Sequence, residues 1–128
     1  MARKIFIVDD DETIIEFMTL MMESAGYEVS SCLAGTEALP KILAQKPDCI
    51  LTDLMMAELD GLQLCQEIRN KSYSPSPVVI VVSARTHPYW QNRAHEAGAD
   101  GYVTKPLSAV TFVPQIEAIM GDKEEAST

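Results

Sequence analysis

Short apolar runs alternate along the chain with longer stretches in which apolar residues recur three and four apart, the mark of strands alternating with helices in a parallel sheet. Five such βα units fit the sequence. Lys4–Val8 reads as the first strand. The helix after it, residues 13–25, carries Ile14, Phe17, Met18, Met21 and Ala25 on one face and stops at Gly26. The methionines of that face read as core rather than as ligands. Glu28–Cys32 is the second strand, and a helix over 36–46 leads through Pro47 to the third, residues 49–52, with Asp53 at its C-terminal end. A loop ending in Gly61, a helix to about residue 70 and a polar stretch over 70–76 follow. The next run, 77–82, is apolar throughout and predicts a central strand buried on both faces. A helix over 89–97 closed by Gly98, a short strand over 101–103 and a last helix over 108–120 complete the pattern. Residues 1–121 form one domain, and 122–128 read as a solvated tail. Two prolines fall inside predicted helices, where proline removes a hydrogen bond and crowds the preceding turn. Pro40 comes early enough to be tolerated, while Pro114 should kink or delay the last helix.

A chain of 128 residues, 47% hydrophobic and 23% charged, is an ordinary globular domain. At this length roughly two thirds of the unfolded surface is buried, enough for a core without disulfides or a structural metal. Nineteen acidic against ten basic residues give a formal net charge of −9. That field repels phosphate backbones and anionic lipid, which excludes direct nucleic-acid binding by this domain. Ile5 to Val8 is too short for a signal-peptide core, and no apolar run approaches the roughly 18 residues of a membrane span. The expectation is a cytoplasmic protein with no membrane contact. Cys32, Cys49 and Cys65 are widely spaced in apolar stretches, without a CxxC, and read as small buried hydrophobes. His87 and His95 have no carboxylate or thiol at ligand spacing and read as surface residues.

A parallel sheet with helical crossovers puts the C-terminal ends of its strands on one edge, where ligands bind. The polar residues just beyond the strands therefore become neighbours: Asp9, Asp10, Asp53, Ser83 and Lys105. Three carboxylates within a few ångströms repel by several kcal/mol at an effective dielectric near 20, so a cation is called for. Oxygen donors at an open edge suit Mg²⁺, which keeps waters and bridges carboxylate to phosphate. The formal charges then balance, with three carboxylates against Mg²⁺ and Lys105. With no histidine nearby to act as a base, covalent attack by a carboxylate on a phosphoryl group is the chemistry this set favours. Asp53, central among the others, is the candidate nucleophile.

These residues carry a resemblance. Ile5-Phe6-Ile7-Val8-Asp9-Asp10-Asp11, Leu51-Thr52-Asp53-Leu54-Met55-Met56, Leu59-Asp60-Gly61, Val82-Ser83-Ala84, Ala97-Gly98-Ala99-Asp100-Gly101-Tyr102 and Lys105-Pro106 occur in order. Over residues 3 to 120 the chain resembles the receiver domain of bacterial response regulators of two-component systems. The resemblance implies a flavodoxin-like doubly wound (βα)5 sandwich, α/β in class, with a five-stranded parallel sheet of order 2-1-3-4-5. It implies Asp53 as phosphoacceptor and Asp10 as direct Mg²⁺ ligand. Asp9 would hold the ion through water, and Met55 would contribute its backbone carbonyl. Lys105 would pair with the phosphoryl oxygens, and its bond to Pro106 would be cis. Ser83 would donate its hydroxyl to the phosphoryl group and move inward as Tyr102 turns from exposed to buried.

The implied function is a phosphorylation-controlled signalling switch that takes a phosphoryl group from a sensor histidine kinase or histidine phosphotransfer protein and passes its state to an effector. It would be no enzyme beyond slow self-phosphorylation and self-dephosphorylation. Tyr89 and Trp90 open the fourth helix, on the face receivers offer to partners. Met55 and Arg85, two residues beyond Asp53 and Ser83, flank the path of attacking water and should tune phosphoryl lifetime. The chain departs from the family at Ala57, where proline is usual, and at Pro114, which argues against assuming the common dimer. Two other classes compete. A pseudo-receiver would keep the fold and work as a phosphate-independent binding module, but such proteins usually lose an acid or the lysine. A haloacid-dehalogenase-like phosphatase would use Asp9 and Asp11 of the same acidic run, and would leave Asp53 without a role.

Overall fold

Strand-forming runs and helix-forming stretches alternate from end to end in the computed structural model, which describes residues 3–127 apart from Ala57, Ser72, Ser74 and Pro75, with only the backbone over 124–127. Ala57, the departure from the family proline, thus lies outside the described residues, as do Met1, Ala2 and Thr128. The elements are β1 Lys4–Val8, α1 Glu12–Ser24, β2 Glu28–Cys32, α2 Gly35–Gln45, β3 Cys49–Asp53, α3 Gly61–Lys71, β4 Val78–Ser83, α4 Pro88–Glu96, β5 Gly101–Thr104 and α5 Phe112–Ser127. All pairings are parallel and the sheet order is β2-β1-β3-β4-β5, as the resemblance implied.

The two-residue period of a strand sorts the core into two layers. Phe6, Val8, Ile50, Val79 and Val81 face Ala38, Ile42, Leu64, Cys65, Ile68 and Ala94 of α2, α3 and α4. Their neighbours Ile5, Ile7, Cys49, Leu51, Ile80, Val82 and Val103 face Met18 and Met22 of α1 and Phe112, Ile116 and Met120 of α5. Every residue of β4 is buried, in keeping with a central strand covered on both faces. The cysteines are free and buried, and burial raises the pKa of each thiol, leaving them protonated core residues. Among the described residues no helix is long and apolar enough to cross a membrane.

Local chemistry explains where the elements begin and end. Asp11 caps α1, its Oδ1 accepting the Thr13 N–H at 2.9 Å, while Glu12 puts negative charge in the first turn. Ala25, expected on the buried face, is instead the exposed C-cap of that helix. Gly26 follows at a φ of +98°, a conformation open to glycine. The last helix starts at Phe112 rather than 108, so that Pro114 falls in its first turn, where no intrahelical N–H is missed. It also runs on to Ser127, so residues 122–127, expected as a tail, continue the helix. Pro40 is the sixth residue of α2, past the first turn, and its exposed ring gives the Thr36 carbonyl no N–H.

At the N-terminal edge of the sheet Asp100 gathers donors from three elements. Its Oδ2 accepts from Arg69 at 2.8 Å, from Lys123 at 3.1 Å and from the Val79 N–H at 2.9 Å. Arg69 also donates to the Gly98 and Pro77 carbonyls, each at 2.9 Å, and so ties α3 to the start of β4 and the α4–β5 turn.

Candidate functional site

Register builds the site at the opposite edge. Val8 pairs with Thr52, so the next residues, Asp9 and Asp53, emerge side by side from β1 and β3. Asp53 pairs with Val82 and Ser83 with Thr104, which brings Ser83 and Lys105 to the same edge. The sheet thus gathers all five residues that the pattern singled out, with Asp10 completing the carboxylate group.

Asp9 is fully buried. Its Oδ1 accepts the Asp11 N–H at 2.9 Å and its Oδ2 the Lys105 ammonium at 3.0 Å. The same ammonium lies 3.6 Å from Asp53 Oδ1, which also accepts the Leu54 N–H at 2.9 Å. Among the described residues nothing donates to Asp53 Oδ2, which is therefore the oxygen open to a reaction partner. Burial and the Asp9 charge raise the Asp53 pKa above the usual carboxylate range, against the pull of Lys105 and the Leu54 N–H, and Asp10 adds to the rise. Burial pulls the Lys105 ammonium down, but its hydrogen bond to Asp9 and the charges of Asp53 and Asp9 outweigh this and hold its pKa above the ordinary lysine value. Asp9, Asp10 and Asp53 each offer a carboxylate oxygen, and these atoms lie within 4.8 Å of one another. Three carboxylates sharing one ammonium leave excess negative charge on hard oxygen donors, so the set fits a divalent cation such as Mg²⁺.

The backbone beneath the site is closely packed. Gly61 donates its N–H to the Leu54 carbonyl at 2.9 Å and lies so near β3 that a Cβ there would overlap the Asp53 carbonyl oxygen. This explains the glycine of the Leu59-Asp60-Gly61 motif. Asp60 caps α3 through the Gln63 N–H at 2.9 Å. The Lys105–Pro106 bond is cis, as the resemblance implied, and the Lys105 N–H reaches the Ser83 carbonyl at 2.8 Å.

Ser83 is buried and its Oγ accepts the Arg85 N–H at 3.0 Å, while the half-buried Tyr102 donates its hydroxyl to the Arg85 carbonyl at 2.7 Å. Met55 is 48% exposed in the loop after β3. Tyr89 and Trp90 meet edge to face at 5.0 Å at the start of α4, Tyr89 being the more exposed. Sequence patterning overlooked their cationic neighbours: Arg85 lies over Trp90 at 5.6 Å and Arg93 over Tyr89 at 5.8 Å. It also gave His87 no task, yet its Nδ1 accepts the Tyr89 N–H at 3.0 Å and caps α4. Asp11, by contrast, is engaged as a helix cap.

Comparison with known proteins points one way. The family profile described as the response regulator receiver domain matches residues 5–117. The alkaline phosphatase synthesis transcriptional regulatory protein PhoP of Bacillus subtilis is 33% identical over 127 residues, which are 99% of this chain and 52% of that protein. The chain thus spans about half the length of that curated relative. A putative response regulator from Chloroflexus aurantiacus is 30% identical, with a TM-score of 0.88 over 94% of this chain and 99% of that one. A CheY-like response regulator receiver domain protein from Methanospirillum hungatei, 25% identical, gives 0.88 over 98% and 99%. The chemotaxis protein CheY4 of Vibrio cholerae, 26% identical, gives 0.86 over 93% and 99%.

Proposed function

This chain belongs to the response regulator receiver domain family, and from that membership we propose that it is a cytoplasmic phosphoacceptor switch in which Asp53 takes a phosphoryl group from a sensor histidine kinase or histidine phosphotransfer protein. The observation that carries the proposal is the state of the Asp53 carboxylate: Oδ1 held by Leu54 and Lys105, Oδ2 open, and acidic neighbours keeping it basic. Oδ2 attacks the phosphorus of a phosphohistidine. The O–P bond forms as the P–N bond breaks, and the imidazole nitrogen leaves with the electron pair and takes a proton. Attack of water on the same phosphorus later returns the carboxylate and releases inorganic phosphate.

Mg²⁺, held by Asp10, Asp53 and the Met55 carbonyl, with Asp9 through water, would offset the charge on the phosphoryl oxygens. Lys105 reaches from Asp53 to a phosphoryl oxygen without leaving the site. Ser83 supplies a hydroxyl donor, and its link through Arg85 to Tyr102 makes the pair the switch. Tyr89 and Trp90 form part of the face offered to an effector protein. Net turnover is confined to slow self-phosphorylation from small donors and self-dephosphorylation.

Phosphoramidate, whose P–N bond mimics phosphohistidine, tests the assignment by phosphorus NMR. An acyl-phosphate resonance that needs Mg²⁺, vanishes in Asp53→Asn and persists in Asp11→Ala supports it. A resonance retained in Asp53→Asn would return the chemistry to the acidic run after β1, with Asp9 as nucleophile as in the phosphatase class. No resonance and no Mg²⁺ binding would leave a phosphate-independent module.

A further inference from the structure

Arg85 stands between two groups of residues that the phosphoacceptor reading leaves unconnected. Its main chain is tied to both members of the switch, the N–H to Ser83 Oγ at 3.0 Å and the carbonyl to the Tyr102 hydroxyl at 2.7 Å. Its side chain runs the other way, with the guanidinium carbon 5.6 Å from the centroid of the Trp90 ring. Arg85 is exposed and, among the described residues, its guanidinium pairs with no carboxylate. The ring is thus its one tether, held by the attraction of a cation for an aromatic face.

Trp90 itself stands on fixed ground. It packs against the core beneath α4, and the His87 cap on the Tyr89 N–H holds the first turn of that helix. A contact between a loop residue that follows Ser83 and a ring anchored on α4 registers any displacement of the loop.

We propose that Arg85 is the coupling residue that carries the state of Asp53 to the Tyr89–Trp90 surface. The proposal rests on the phosphoacceptor reading and adds its regulation. When Ser83 swings its hydroxyl toward a phosphoryl oxygen, a change of one rotamer moves Oγ farther than the Arg85 N–H bond tolerates. The Arg85 peptide then keeps only its Tyr102 tether, and the guanidinium shifts off Trp90. The ring face that Arg85 covers before phosphorylation becomes available to a partner after it.

Trp90 is the sole tryptophan of the chain, so all tryptophan emission comes from this ring, and the Arg85 variants separate the Arg85 contact from its other surroundings. The test treats the full chain with acetyl phosphate and Mg²⁺, reads phosphoryl occupancy by intact mass and follows Trp90 emission in wild type, Arg85→Ala and Arg85→Lys. Because Arg85 is exposed, both variants should fold, which circular dichroism checks. The expected result, compared at equal phosphoryl occupancy because Arg85 also flanks the path of attacking water, is an emission change in wild type, its loss in Arg85→Ala and a reduced change in Arg85→Lys, which keeps the charge without the planar group. An Arg85→Ala protein whose emission changes as in wild type at equal occupancy would overturn the coupling and leave the phosphoacceptor reading standing. Absence of any adduct in wild type would overturn both.

Discussion

The Asp53 carboxylate bears its charge against burial and against Asp9, so it holds a proton to higher pH in the folded chain than in the unfolded one. Between the ordinary carboxylate range and that raised value the folded state binds more protons. Stability therefore falls as pH rises through this window. Asp53→Asn removes the repulsion and the titration together. In metal-free buffer near neutral pH it should melt above wild type, with a flatter pH dependence on the acid side, and a lower melting temperature would contradict the electrostatic account. Lys105 works with the opposite consequence: its stabilisation is present through neutral pH and is lost as pH rises through its raised value in the alkaline range. Removing it strands the fully buried Asp9, so Lys105→Ala should cost about 3 kcal/mol by urea denaturation. Asp9→Asn in the same chain should restore part of that, because the uncompensated charge is gone. At this scale Asp9, Asp10, Asp53, Ser83 and Lys105 were legible, since each follows an apolar run and the parallel topology brings such residues together. Arg85 over Trp90 and the His87 cap were not, because loop conformation alone sets those contacts.

Elements were legible where one strong local signal dominated. Short apolar runs made the strands plain, and Gly26 and Gly98 marked helix ends by known chemistry. The last helix was misplaced at both ends for physical reasons. Pro114 forbids regular helix before it from carrying through, which moves the start to Phe112. Gly121 resembles a stop signal, yet it stays helical, with the apolar face of Phe112, Ile116 and Met120 anchoring the turns before it. Pro40 presents the contrary case, a helix that continues through a residue unsuited to it. Its ring is exposed and holds no core contact, so Pro40→Ala should restore the bond to Thr36 and raise stability by about 1–2 kcal/mol after allowing for greater freedom in the unfolded chain. Chemical denaturation of the two proteins measures this directly, and a destabilised variant would mean that proline shapes α2 in a way its exposure does not reveal.

Across the whole molecule the two edges of the sheet divide the work. The C-terminal edge concentrates unbalanced negative charge at the phosphoacceptor, while the N-terminal edge closes α3, β4 and α5 around Asp100. No periodicity announces that second cluster, since Arg69, Asp100 and Lys123 meet only once three elements have packed. Asp100→Ala should lower stability by about 1–2 kcal/mol, yet leave phosphoryl uptake intact, because it acts at the far edge from Asp53. Uptake lost in step with stability would show that the edges are not separable.

Asp53 as the acceptor is the claim on which the rest depends, and intact mass after incubation with acetyl phosphate, with and without Mg²⁺, tests it most directly. Wild type should gain a single phosphoryl group only when Mg²⁺ is present, and Asp53→Asn should gain none. An adduct of equal yield in Asp53→Asn, or none in wild type under either condition, would contradict the account.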